Sequence, residues 1–125
     1  MPYSIKFETS PRRIEVEYSG TVTDDEFNQA INDFVNFNKD KNCLLVLTDL
    51  TEMKVTPSIL NVYNSINTFE KMGIDNRTSE ALILEQNKFV ESNIKFYENA
   101  CQNRGYNVRI FYNREDAIHW LKLQE

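Results

Sequence analysis

The chain has 125 residues, 41% hydrophobic and 12% aromatic, with three glycines, three prolines and a formal charge of −5. That is the make-up of one folded domain over residues 1–125, large enough to bury roughly two-thirds of its unfolded surface, and it excludes low-complexity and disulfide-dependent chains. The basic residues are scattered rather than striped, so a phosphate backbone would meet a mildly repulsive field, and nucleic acid is excluded as a partner.

The stretch MPYSIKFETS lacks a basic region followed by an apolar run, and nothing approaches the roughly 20 apolar residues that span a bilayer. A cytoplasmic protein that does not span a membrane is expected. Ser4 to Glu8 and Ile14 to Tyr18 alternate apolar with polar, the period of strands with one covered face, and TSPRR between them suits a hairpin turn. Ser19-Gly20 is expected to stop the second strand. Thr23 followed by Glu26 is a capping box, and Phe27, Ala30, Ile31, Phe34 and Phe37 form one buried stripe of the helix it opens. The acidic run Asp24, Asp25, Glu26 complements the positive end of that helix dipole, with Lys39 and Lys41 near the other end.

Cys43 to Leu47 is almost wholly apolar, as a central strand covered on both faces should be. Asp49, Thr51, Glu52 and Lys54 read as a polar loop, then Thr56 and Pro57 as the N-cap and first position of a second helix. That helix shows a broad apolar face from Ile59 and Leu60 to Met72, and Gly73 suits its end. Ala81 to Leu84 is a short buried strand flanked by Glu80 and Glu85. Asn87 is the expected cap of a third helix, whose face holds Phe89, Val90, Ile94, Tyr97 and Cys101 and which Gly105 closes. Val108 to Tyr112 is a fifth strand, at an edge because Arg109 interrupts it, and Asn113 caps a last helix carrying Ala117, Ile118, Trp120 and Leu121.

The order β-β-α-β-α-β-α-β-α predicts an α/β domain: a five-stranded, mostly parallel sheet opened by an antiparallel N-terminal hairpin, with right-handed crossovers. Open sheets of this kind work at the carboxyl ends of their parallel strands. That rule gathers Asp49, Thr51, Glu52, Lys54, Thr56 and Ser58, then Glu85, Asn87 and Lys88, then Asn113 and Arg114 into one candidate interaction surface.

Chemistry is sparse. Three glycines write neither a dinucleotide fingerprint nor a phosphate loop, so no cofactor is implied. Cys43 and Cys101 with a single histidine do not make a four-ligand zinc site and read as buried thiols. His119, beside Trp120, reads as structural or exposed rather than as a general base. Asp49 with Glu52 or Glu85 would give a small hydrolase or a metal site only at the right separation, and loop solvation is the commoner use of such carboxylates.

The hairpin, the stretch LTDLTEMKVTPSIL and the ending VRIFYNREDAIHWL resemble the SpoIIAA-like superfamily, the STAS and STAS/SEC14-like domains of bacteria, from about Ile14 to Leu121. The resemblance implies a non-enzymatic regulatory module with a protein partner. In the anti-sigma-factor antagonists of that group a serine at the start of the second helix is phosphorylated, and Ser58 corresponds to it, with Thr56 beside it; Pro57 stands where the motif has Asp, and Leu60 where it has Gly. The SEC14-like branch implies an alternative, a carrier of lipid or another small apolar ligand, with Tyr63, Ile66 and Phe69 lining a cavity against the third helix. A homodimer through Val108 to Tyr112 or through exposed helix faces is a further expectation.

Overall fold

The computed structural model describes residues 2–86 and 88–125, with Lys88 and Phe89 described by backbone alone. Asn87, the expected cap, therefore lies outside the described residues, as do the side chains of Lys88 and Phe89. The elements run β1 (Tyr3–Thr9), β2 (Arg12–Thr21), α1 (Asp24–Asn38), β3 (Leu45–Val55), α2 (Ile59–Lys71), β4 (Ser79–Ile83), α3 (Lys88–Asn103), β5 (Asn107–Phe111) and α4 (Arg114–Leu123). The sheet order is β1-β2-β3-β4-β5, antiparallel between β1 and β2 and parallel thereafter. Strands consecutive in sequence are thus neighbours in space, and β1 and β5 are the edges.

Strand alternation sorts side chains to two faces. Val46, Leu50 and Leu82 face a core shared with Ala30 of α1, Val62 and Ile66 of α2, and Ile94, Tyr97 and Cys101 of α3. Leu45, Leu47, Ala81 and Ile83 face the other way, onto Ala117, Trp120 and Leu121 of α4. Three helices therefore cover one face and a single helix the other.

Local signals hold where they depend only on neighbours in sequence. Thr23 and Glu26 form the expected capping box, and Asn113 caps α4 by accepting from the Asp116 amide at 2.9 Å. Gly73 and Gly105 take left-handed φ values of 76° and 88°. After each, the next residue folds back: the Ile74 amide donates to Phe69 O and the Tyr106 amide to Cys101 O, both at 3.0 Å, completing Schellman caps on α2 and α3.

Three differences from expectation bear on the site. Strand β2 does not stop at Ser19-Gly20, and the "loop" bearing Asp49, Thr51, Glu52 and Lys54 is the outer half of β3. The two extensions pair with each other, Ser19 with Glu52, Gly20 with Met53 and Thr21 with Val55, and two register shifts absorb extra residues of β3. Leu50 and Met53, three apart, both reach the core because of the first shift. The third difference is the start of α2. Ser58, not Thr56, is its N-cap, with Ser58 Oγ accepting from the Asn61 amide at 3.2 Å. Pro57 then falls just before the cap and Val62 at the fourth helical position, the pair of a hydrophobic staple, both facing the same cavity.

Candidate functional site

The carboxyl rim of the sheet is laid out as expected. Asp49 is in register with Ile83, and Ile83 with Phe111, so Glu85 and Asn113 each follow two residues after the same level. Beyond that level β3 continues alone beside β2 and delivers the chain to Ser58. Glu52, Lys54, Glu85, Asn113 and Arg114 are exposed there, with Asp49 and Thr51 half-buried.

Not all of these groups are free. Asp49 Oδ1 accepts from the Thr51 amide at 3.0 Å and from Thr51 Oγ1 at 2.7 Å, which steadies the first bulge of β3. Thr56 Oγ1 accepts from Asn93 Nδ2 of α3 at 2.6 Å. Arg114 is committed to the fold: its Nη2 lies 2.6 Å from both oxygens of Glu15. Glu15 also takes Arg13 Nε at 2.7 Å, and Arg13 itself is only 6% exposed. Burial pushes the Glu15 carboxyl up, but the hydrogen bonds from Arg114 and Arg13 outweigh it and hold the carboxyl below its ordinary range.

Ser58 is the polar centre of a different neighbourhood. Its amide donates to Asp24 Oδ1 at 2.8 Å and its hydroxyl to Asp24 Oδ2 at 2.9 Å, so the first residue of α1 latches the first turn of α2. Asn61 Nδ2 adds a bond to Asn28 Oδ1 at 3.2 Å. Around this latch the expected broad apolar face of α2 divides. Val62 and Ile66 are buried, whereas Ile59, Leu60 and Tyr63 are 49%, 67% and 41% exposed. Tyr63 packs at a tilt against Phe96 of α3, itself exposed, with ring centroids 6.1 Å apart. Val55 and Tyr112 are also exposed large side chains.

The expected ligand cavity needs correction. Tyr63 is at the surface and Ile66 is core, so of the three proposed lining residues only Phe69 borders a cavity. That cavity, of about 120 Å3, lies between the three-helix layer and β2 to β5. Its helical walls come from α1 (Phe27, Phe34), α2 (Val62, Phe69) and α3 (Ile94, Tyr97), and the Schellman residues Ile74 and Tyr106 close one side. Phe69 meets Tyr97 and Tyr106 edge-on at 6.3 and 6.2 Å. Phe34, Ile74 and Thr78 also line an adjoining depression of about 400 Å3 at the other rim of the sheet, near Cys43 and Asp75.

One carboxylate stands in the largely apolar cavity wall, and the sequence marks it only as a strand flank. Glu80 of β4 accepts from Thr48 Oγ1 at 2.6 Å and from Tyr97 Oη at 2.7 Å. Protein surrounds it, and burial pushes its carboxyl up against the opposing effect of both hydrogen bonds. Its intermediate exposure is that of a cavity wall. Burial likewise pushes the nearby Cys101 thiol up to about 12. Cys43 and Cys101 are both free and buried, His119 is exposed, and among the described residues no cluster of three or more His, Cys, Asp or Glu is placed to hold a metal.

A mostly parallel five-stranded sheet in sequential order, an antiparallel first pair and helices on both faces make up the SpoIIAA-like fold. Two solved structures share it. An uncharacterized protein of the DUF3478 family with a SpoIIAA-like fold, from Shewanella loihica, superposes with a TM-score of 0.66 at 15% identity, over 95% of this chain and 93% of that one. An anti-sigma factor antagonist from Mycobacterium paratuberculosis superposes with a TM-score of 0.63 at 13% identity, over 96% and 94%. No family model matches the sequence, and no curated protein matches it. No helix among the described residues is long and apolar enough to cross a membrane.

Proposed function

We propose that the chain is a non-enzymatic, STAS-like regulatory module that binds a protein partner through the start of α2 and is switched by phosphorylation at Ser58. The observation that carries this is the pairing of an exposed helix-start hydroxyl with exposed Ile59, Leu60 and Tyr63 on one end of one helix. Exposed apolar side chains beside a modifiable polar group suit a partner that must be both held and released. The likeness to an anti-sigma factor antagonist makes an anti-sigma factor the first partner to test.

A phosphate on Ser58 would keep the favourable helix dipole and the Asn61 amide but would meet the Asp24 carboxylate that now holds the hydroxyl. Repulsion would open the latch between α1 and α2 and place new negative charge inside the apolar patch. The free cysteines suit the reducing cytoplasm. The test is direct: with a cognate anti-sigma factor, Leu60→Asp and Ser58→Asp should each weaken binding by about tenfold or more while leaving the fold intact. Unchanged affinity in both variants, or intact-mass analysis placing kinase-added phosphate away from Ser58, defeats the proposal.

A second reading, a carrier for a small apolar ligand, is favoured by the cavity beside Phe69. It concerns the opposite side of α2 and does not compete for the same surface.

A further inference from the structure

Glu80 poses a question that the fold itself does not answer. A carboxylate placed among apolar side chains is costly unless a cation or several donors compensate it. Its two oxygens accept one hydroxyl each, and no Lys or Arg among the described residues forms an ion pair with it. The titratable groups around it are Tyr18 of β2 and Tyr97 and Cys101 of α3, none of them a cation. Both hydroxyls donate, so the carboxyl group is presented as an acceptor toward the cavity it borders. The chain's charge of −5 also favours entry of cations.

From this juxtaposition we infer that the cavity is a binding site for a small monoamine with a compact apolar body, its ammonium group paired with Glu80 and its hydrocarbon part seated among Phe27, Val62, Phe69 and Ile94. The inference deepens the carrier reading and rests on it. Size supports the class: a cavity of about 120 Å3 is close to the roughly 150 Å3 engineered apolar cavity that takes up benzene, so a single ring or a short branched chain fits and a long acyl chain does not. The ammonium would donate to the second lone pairs of the Glu80 oxygens, beside the bonds from Thr48 and Tyr97. The adjoining depression shares Phe34, Ile74 and Thr78 with the cavity, so only these side chains separate the two.

The experiment titrates the whole chain with benzylamine, benzyl alcohol and toluene, followed by amide and methyl chemical shifts, on wild type, Glu80→Gln and Ala30→Leu. Benzylamine is expected to bind wild type at least about tenfold more tightly than the two neutral probes, with shifts at Glu80 and Phe69. Glu80→Gln should erase that preference while neutral probes still bind. Ala30→Leu, which fills the cavity from α1 without touching the carboxylate, should weaken all three and keeps the test valid should Glu80→Gln fail to fold. Equal affinity for the amine and its neutral analogues, or an amine preference surviving in Glu80→Gln, overturns the amine assignment but leaves a cavity. Failure of every probe to bind wild type overturns the carrier reading along with it.

Discussion

Glu15 and Glu80 are two carboxylates withdrawn onto opposite faces of one sheet, and the protein treats them oppositely. Glu15, under the α4 side, is gripped by Arg13 and Arg114 and is held in its charged form. Glu80, under the three-helix side, has two hydroxyls and an apolar cavity, and burial favours its proton. The first is a structural clasp that joins α4 to β2 where no helix covers the strand. The second links β4 to Thr48 and Tyr97 through hydroxyls alone, with no ion pair among the described residues, and a buried carboxyl without a counterion is where binding is to be sought.

The largest expected effect separates the two at once. Glu15→Gln leaves the buried Arg13 guanidinium without its counterion and should destabilise the fold by about 3 kcal/mol, whereas Glu80→Gln should stay within about 1 kcal/mol of wild type, both read from urea unfolding at neutral pH. A large loss in Glu80→Gln would erase the contrast.

Next comes the room on each face. Ala117, with no exposed surface, is wedged between α4 and the sheet, so Ala117→Leu should cost roughly 2 kcal/mol by overpacking. Ala30 borders the cavity, so Ala30→Leu should cost less than about 1 kcal/mol. Equal costs would mean the cavity is closed in solution.

The pH profile sharpens the comparison further. Glu15 has a lowered folded value, so its stabilisation is present above the ordinary 4.5 and lost as pH falls below it. Glu80 has a raised one, so its contribution is full below 4.5 and lost as pH rises through the raised folded value. Thermal midpoints followed across roughly pH 3 to 8 should therefore lose part of their acid-side fall in Glu15→Gln and part of their decline above 4.5 in Glu80→Gln. The smallest effect expected is at the rim: Ser58→Ala removes an N-cap and one bond to Asp24 and should cost about 1 kcal/mol by the same urea measurement.

What could be read from sequence was what neighbours in the chain decide. The Thr23-Glu26 box, Asn113, Gly73 and Gly105 act over at most a few residues, and the apolar patterns give the succession of strands and helices, hence a mostly parallel sheet. The outer half of β3 reads as a loop because it has a ladder partner on one side only and therefore carries polar residues. Thr56 reads as the cap because Pro57 after it suits a first helical position, and Asp24, 34 residues before Ser58, is what fastens Ser58 there instead. Glu80 is not marked out by its neighbours in the chain because its partners Thr48 and Tyr97 lie 32 and 17 residues away. Its parity with Leu82 in a five-residue strand did place it on a covered face, and that signal was available.

The paired helix endings at Gly73 and Gly105 have a practical consequence. Because backbone turns, and not helix packing, bring Ile74 and Tyr106 to the chamber wall, its bore can be widened or narrowed by exchanging those two side chains while the helices that frame it stay in register. Selectivity for guests of different girth would then be adjustable independently of the scaffold, a separation that lets related sequences diverge in what they admit without relearning how to fold.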